Sequence, residues 1–173
     1  IVIEEQKSQI KRVQTLLKTA SKAGTGKGGY PEFIINWEVD PNFLIVIECK
    51  ADTKYHESSS LDKVKDYAVD GVIHYAKALS KEFTVLAIAV SGTTAESMKV
   101  SNFLYPCGGN EHKVLANQDG LSINEIVSFN DYYKLASYDP EVERKRHHDL
   151  IAFSKKLHEL IWTAAKISEE EKP

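Results

Sequence analysis

The sequence predicts a mixed α/β fold, in which a sheet is flanked by helices and followed by a C-terminal helical extension. Two runs, 43–47 and 83–90, are apolar on both alternating faces, which is typical of central strands covered on two sides. Between them, residues 61–81 show the 3–4 spacing of a buried helix face. Residues 140–166 are strongly periodic and predict a long terminal helix. A strand, a helix and a second strand in this order favour a mixed α/β core.

The first element is expected to be an amphipathic helix over residues 3–22. Its apolar face follows helical spacing through Ile3, Ile10, Val13 and Leu17. The glycine-rich segment 23–29 should end it in a loop. The runs 33–35 and 43–47 are then predicted to form an antiparallel hairpin, because the Asp-Pro-Asn of residues 40–42 is typical of turns.

The second half of the chain is expected to add short strands and further helices. A helix is predicted over residues 61–81, and the serines at 58–60 offer caps at its start. Short strands are expected near 102–105 and 113–116, followed by a turn and a helix over 122–136. We therefore expect a core domain over residues 1–136. Residues 137–173 should form a helical extension that links it to further domains of a longer protein.

Composition excludes several classes of protein. The 173 residues carry a formal net charge of −3, so the chain is not a generally basic nucleic-acid binder. No stretch approaches about 18 uninterrupted apolar residues, so no membrane span is expected. Two cysteines are too few for a disulfide framework and the start lacks a secretory pattern, which together favour a cytoplasmic location.

Charged residues at the end of the apolar strand 43–47 are the main functional signal. Glu48 and Lys50 continue this strand directly and point to one face, because strand side chains alternate. If the hairpin turns near Asp40, paired positions sum to about 80 and Glu32 lies opposite Glu48, with Cβ atoms roughly 5 Å apart. Two carboxylates at that distance favour a bound cation. An oxygen-rich shell suits Mg²⁺, and a neighbouring lysine can hold or deprotonate a water.

The pattern Pro31-Glu32, a short hairpin and Glu48-Cys49-Lys50 resembles the PD-(D/E)XK nuclease superfamily. That resemblance implies a restriction-endonuclease-like mixed sheet with an α-β-β-β-α-β core, and metal-dependent cleavage of DNA. The sequence is most similar to the N-terminal nuclease domain of type I and type IIG restriction–modification enzymes. By this resemblance Glu32, Glu48 and the carbonyl of Cys49 would bind Mg²⁺, for which Mn²⁺ can substitute. Lys50 would be the catalytic lysine.

The sequence departs from that pattern in places. Glu32 stands where an Asp is more usual, and Gly71 stands where the Gln of a Gln-x-x-x-Tyr motif would precede Tyr75. Many members supply an inward Glu from the first helix. Here the choice among Glu4, Glu5 and Gln6 stays open.

Three further side chains are candidates for DNA contact: Tyr75, Lys54 and Lys27. Each also has a purely structural interpretation. Tyr75 suits core packing, whereas Lys54 and Lys27 suit solvated loops. Likewise, Glu48 and Lys50 alone could form an ion pair at a sheet margin, with Glu32 solvated.

The predicted function is that of a Mg²⁺-dependent endonuclease domain of a restriction–modification enzyme, acting on double-stranded DNA. Its partners would be the methyltransferase, helicase or specificity domains of the parent protein. Two alternatives remain: a non-catalytic module of the same fold that positions DNA or assembles subunits, and a repair or mobile-element nuclease.

Overall fold

The computed structural model describes residues 1–21, 29–137 and 150–163. The chain divides into two compact units, residues 1–136 and residues 137–173. In the second unit, residues 150–163 form a helix whose side chains are exposed, so this part of the predicted terminal helix is confirmed. The rest of the predicted span 140–166 lies outside the described residues. No helix within the described ranges is long and apolar enough to cross a membrane.

The first unit is built on one sheet of six strands. The strands are β1 (Val2–Glu5), β2 (Phe33–Trp37), β3 (Asp40–Lys50), β4 (Thr84–Ser91), β5 (Lys99–Tyr105) and β6 (Lys113–Val114). The helices are α1 (Lys11–Leu17), α2 (Ala68–Leu79) and α3 (Phe129–Ser137), with a 3₁₀ turn at Thr53–Tyr55. The strands lie in the order β1-β2-β3-β4-β5-β6. Only the pair β3–β4 is parallel among these neighbours. The predicted mixed α/β class is thus confirmed.

The helices cover both faces of the sheet. One apolar cluster joins α1 and α2 to the face of β3 that carries Leu44 and Val46. A second cluster joins α3 to the opposite face, which carries Phe43 and Ile45. Both faces of β3 are therefore buried, as its continuous apolar run predicts.

The beginning of the predicted first helix is wrong. Val2–Glu5 form edge strand β1, which pairs antiparallel with β2, and α1 starts only at Lys11. Ile3, expected on the inward face of a helix, is 64% exposed. Gln6 ends the strand with a φ of 56°, so the chain turns away before it becomes helical. Strands β1, β2 and β3 thus form an antiparallel set of three. The first of these strands precedes helix α1 along the chain, whereas the predicted α-β-β-β-α-β core begins with a helix.

Helix α2 also starts later than predicted, at Ala68 instead of residue 61. The buried carboxylate of Asp70 accepts hydrogen bonds from the backbone N–H groups of Ser58 and Lys63 and from the Ser58 hydroxyl. Leu61 has a left-handed φ of 55°, which no helix accommodates. The serines hence anchor an irregular segment instead of capping the helix. The helix predicted over 122–136 is likewise shorter, since α3 begins at Phe129.

Candidate active site

The end of β3 carries an ion pair whose carboxylate is buried and whose ammonium is partly exposed. Glu48 is 2% exposed, and its Oε1 accepts a hydrogen bond of 3.1 Å from Nζ of Lys50, whose side chain is 22% exposed. Both residues continue the face of Leu44 and Val46, which packs under α1 and α2. Burying a carboxylate as deeply as that of Glu48 costs free energy unless the charge is paired. The partly exposed ammonium of Lys50 offsets part of that cost.

Glu32 directly precedes the neighbouring strand β2, which begins at Phe33. The register of β2 and β3 pairs Phe33 with Ile47 and Ile34 with Val46, and one further step in this register would place Glu32 beside Glu48. Ile34 belongs to the cluster under α1 and α2, and continued strand geometry would direct Glu32, two residues earlier, to the same face.

Electrostatic effects on two neighbours agree with this placement of the two carboxylates. Burial and the charges of Glu48 and Glu32 raise the pKa of the Tyr75 hydroxyl. The pKa of the Cys49 thiol is also raised, chiefly by burial and then by Glu32 and Glu48. Each effect favours the neutral form of the neighbour because a nearby negative charge opposes a second one.

The backbone carbonyl of Cys49 faces β2. The C=O of Lys50 accepts a 2.9 Å hydrogen bond from Gly92 N–H, just beyond β4, and successive carbonyls of a strand point to opposite sides. The pairs of β2 and β3 end at Phe33 and Ile47, and two further steps in the same register would oppose Cys49 to position 31, a proline without an N–H. The ladder position opposite the Cys49 carbonyl therefore supplies no donor. A carbonyl oxygen can thus join the two carboxylates at this end of the sheet.

Tyr75 holds the segment that leads to Glu32. Its hydroxyl donates to the Tyr30 carbonyl at 3.1 Å and accepts from the Tyr30 N–H at 3.2 Å. Its ring packs so closely on Gly29 that a Cβ there would lie 2.6 Å from Tyr75 Cε1. Because Tyr75 is 2% exposed, this placement argues against the predicted DNA contact and favours the structural interpretation.

The three residues left open as the contribution of the first helix lie in or directly after edge strand β1: Glu4, Glu5 and Gln6. The N–H of Gln6 donates to the Glu32 carbonyl at 3.2 Å, so Gln6 is next to the site through its backbone. Glu4 accepts hydrogen bonds from the N–H of Gln9 and the side chain of Asn36. Glu5 is exposed.

His56 was not predicted to be part of the buried structure near the site. Its Nδ1 lies 2.8 Å from Ser91 Oγ and its Nε2 lies 2.9 Å from Ser101 Oγ. Ser91 is the register partner of Lys50 across β3 and β4. Burial, and to a lesser degree the charge of Lys99, lowers the pKa of His56. No local pattern distinguishes this histidine from a loop histidine, because both serines come from distant strands.

Of the two lysines predicted to contact DNA, one is described. Lys54 is exposed on the 3₁₀ turn after β3, where its Nζ forms an ion pair of 3.0 Å with Asp52. Lys27 lies outside the described residues. In the described part of the chain, no group of three or more His, Cys, Asp or Glu side chains is arranged to hold a metal ion. A metal at this site would accordingly need the carbonyl oxygen and water in addition to two carboxylates.

A comparison with curated proteins finds similarity to the type II restriction enzyme and methyltransferase RM.BcgI of Heyndrickxia coagulans. The two sequences are 28% identical over 149 residues, which cover 79% of this chain and 22% of the relative. The chain thus spans about a fifth of the length of the curated relative that it matches. No protein-family model and no solved structure matches the chain. The comparison supports a distant relation to a restriction–modification protein, and membership of the PD-(D/E)XK superfamily stays a prediction.

Proposed function

We propose that this chain is the metal-dependent DNA endonuclease domain of a restriction–modification enzyme. The observation that carries the proposal is the ion pair of the buried Glu48 with Lys50 at the end of β3, with the charge of Glu32 close enough to act on the same neighbour, Cys49. Burying an ion pair rarely gains stability over an apolar pair, so its position at an otherwise apolar strand favours a chemical role. The relation to RM.BcgI, which is named as a restriction enzyme and methyltransferase, supports the same activity.

In this proposal each polar group has its own task. The carboxylates of Glu32 and Glu48 and the carbonyl of Cys49 hold the metal, and this all-oxygen set fits Mg²⁺ or Mn²⁺. The bound ion would neutralise the carboxylates and polarise a phosphoryl oxygen of DNA. Lys50 orients the attacking water through Nζ, which reaches solvent while staying next to Glu48. Tyr75 acts as a positioning residue by holding the backbone before Glu32.

The remainder of the catalytic apparatus would come from other domains of a longer protein. The relative is several times longer than the matched region, and its name includes a methyltransferase. We propose that methyltransferase, helicase or specificity domains select the DNA sequence, whereas this domain supplies the cleavage site. Double-stranded DNA is the substrate of the assembly, and a cytoplasmic location fits such a role.

Cleavage of supercoiled plasmid DNA tests the proposal directly. The purified chain should nick plasmid with Mg²⁺ or Mn²⁺, and Lys50→Ala should abolish nicking. Lys81→Ala, two residues past the end of α2, is the matched lysine control and should nick like the wild type. Retained nicking in Lys50→Ala would reject the assigned role of Lys50.

Metal binding provides a second readout that does not depend on turnover. Isothermal titration with Mn²⁺ should show binding to the wild type and weaker binding to Glu48→Gln, because the amide keeps the shape but removes the charge. Glu111→Gln, an exposed carboxylate near β6, should titrate like the wild type. Equal Mn²⁺ affinity in Glu48→Gln and the wild type would favour the non-catalytic module, and circular dichroism would verify that both variants are folded.

A further inference from the structure

A polar cleft opens directly beside the candidate active site. It has a volume of about 590 Å³ and is lined by Lys50, Tyr55, Lys63, Lys65, Asp66 and Tyr67. Lys50 belongs both to this lining and to the ion pair with Glu48. The cleft is consequently continuous with the end of β3, where the proposed reaction would occur.

The segment that forms the cleft is irregular but firmly anchored. The Asp70 carboxylate, 1% exposed, holds the backbone of Ser58 and Lys63. His56 bonds to side chains of two strands, and its carbonyl accepts a 2.8 Å hydrogen bond from Val69 N–H at the start of α2. Buried polar anchors of this kind give a loop without regular structure a defined shape.

The aromatic rings of the cleft are arranged to hold ammonium groups. Tyr55 and Tyr67 pack edge to face with their centroids 5.8 Å apart. Nζ of Lys54 lies 4.8 Å from the centroid of the Tyr55 ring, and Nζ of Lys63 lies 5.7 Å from that of Tyr67. Because each ring already lies against the other ring or against one of these cations, the rings are poorly placed to stack on unpaired bases. They favour contact with a phosphate backbone over reading of single-stranded bases.

The charges of the lining also favour an anionic ligand. Three lysines face one carboxylate, that of Asp66. The nearby Asp52 pairs with Lys54, and Asp62 accepts a hydrogen bond from the Ser60 hydroxyl. The six lining residues thus carry a formal surplus of two positive charges, and the ion pair of Lys50 with Glu48 reduces this surplus to one.

We propose that this cleft binds the phosphate backbone of double-stranded DNA beside the scissile position, an assignment that rests on the proposed nuclease function. Lys63 and Lys65 contact phosphates, and the ring of Tyr67 fixes the position of the Lys63 ammonium. Asp66 weakens the same interaction by repulsion. The cleft supplies affinity and register and reads no bases, as is usual for backbone contacts.

Fluorescence anisotropy with a short labelled duplex, with Ca²⁺ in place of Mg²⁺, tests the assignment over a range of salt concentrations. The double variant Lys63→Gln/Lys65→Gln should bind more weakly, and the slope of log affinity against log salt should fall by about 2, or about 1 per lysine. Asp66→Asn should bind more tightly than the wild type. Helix α2, with 12 residues and a length of about 18 Å, lies between the cleft lysines and Lys81 along the chain. Lys81→Gln should therefore leave both the affinity and the salt slope unchanged.

The outcomes separate this proposal from the nuclease proposal. An unchanged salt slope in the double variant, or no binding of duplex by the wild type, would overturn the cleft assignment. A labelled single strand serves as the second probe, and a loss of affinity in the double variant for this strand alone would also overturn the assignment, because the cleft would then bind unpaired DNA. Plasmid nicking by Lys50→Ala reports on the nuclease proposal alone. If the wild type binds duplex through Lys63 and Lys65 but nicks plasmid no faster than Lys50→Ala, the DNA-binding role of the cleft is supported and the nuclease proposal is rejected.

Discussion

Replacing Lys50 with methionine tests whether the Glu48 carboxylate depends on its cation. The substitution keeps most of the chain length but removes the ammonium 3.1 Å from Glu48 Oε1. Glu48 is 2% exposed, so water cannot fully replace the lost interaction. We therefore expect Lys50→Met to lower the free energy of unfolding.

The size of this effect follows from the burial of the two partners. Removing one partner of a fully buried ion pair costs about 3–5 kcal/mol. Because the Lys50 side chain is 22% exposed, solvent screens part of the interaction and we expect about 2–3 kcal/mol. In urea, such a loss lowers the unfolding midpoint by about 1 M.

Two further variants complete the test. Lys54→Met breaks an exposed ion pair of nearly equal length, 3.0 Å, and should leave the midpoint unchanged. In a Glu48→Gln background, Lys50→Met should lower the free energy of unfolding much less, because a neutral amide needs no cation. The difference between the effects of Lys50→Met in the two backgrounds is the coupling energy of the pair. Equal effects of Lys50→Met and Lys54→Met, or no coupling with Glu48→Gln, would refute the argument from burial.

Three other variants probe the supports of the site. Tyr75→Phe removes both hydrogen bonds to Tyr30 and should cost about 1–2 kcal/mol in urea unfolding; an unchanged midpoint would show that the tether contributes nothing. Gly29→Ala places a Cβ 2.6 Å from the Tyr75 ring and should cost about 1–3 kcal/mol by the same measurement, whereas a stabilised variant would contradict the observed packing. The pKa of His56 is lowered by burial, so the folded protein binds fewer protons there than the unfolded chain, and stability is lost as the pH falls below about 6.5. Urea midpoints measured across that range should decline less in His56→Gln than in the wild type, and parallel declines would show that His56 is not responsible.

The register of the hairpin β2–β3 was predicted correctly, although the position of its turn was not. The sequence predicts pairs that sum to 80 from a turn near Asp40, and Phe33 pairs with Ile47 as this sum requires. Yet the turn itself lies earlier, at residues 38–39, and Trp37 pairs with Asp40. A bulge after Asn36 restores the predicted register, because the buried faces of both strands must stay on the core side. The apolar pattern determined the register more strongly than the turn residues did.

The predicted helices were less accurate where polar contacts compete with helical periodicity. Residues 61–67 have helical spacing, but the Asp70 carboxylate binds the backbone of this segment in a non-helical form. At the start of the chain, pairing with β2 draws residues 2–5 into the sheet. Both departures arise because a backbone N–H gains as much from a buried carboxylate or a neighbouring strand as from a helix.

The sequence by itself determined the central strands, their common buried face and the charged groups that end one of them, since these depend on neighbours two to four residues apart. Only the tertiary structure decided that Tyr75 tethers Tyr30, that His56 joins Ser91 to Ser101, and that lysines and tyrosines of an irregular segment form one cleft. Those contacts join residues that are distant along the chain. Their energies depend on burial and distance in the folded core, which no local spacing specifies.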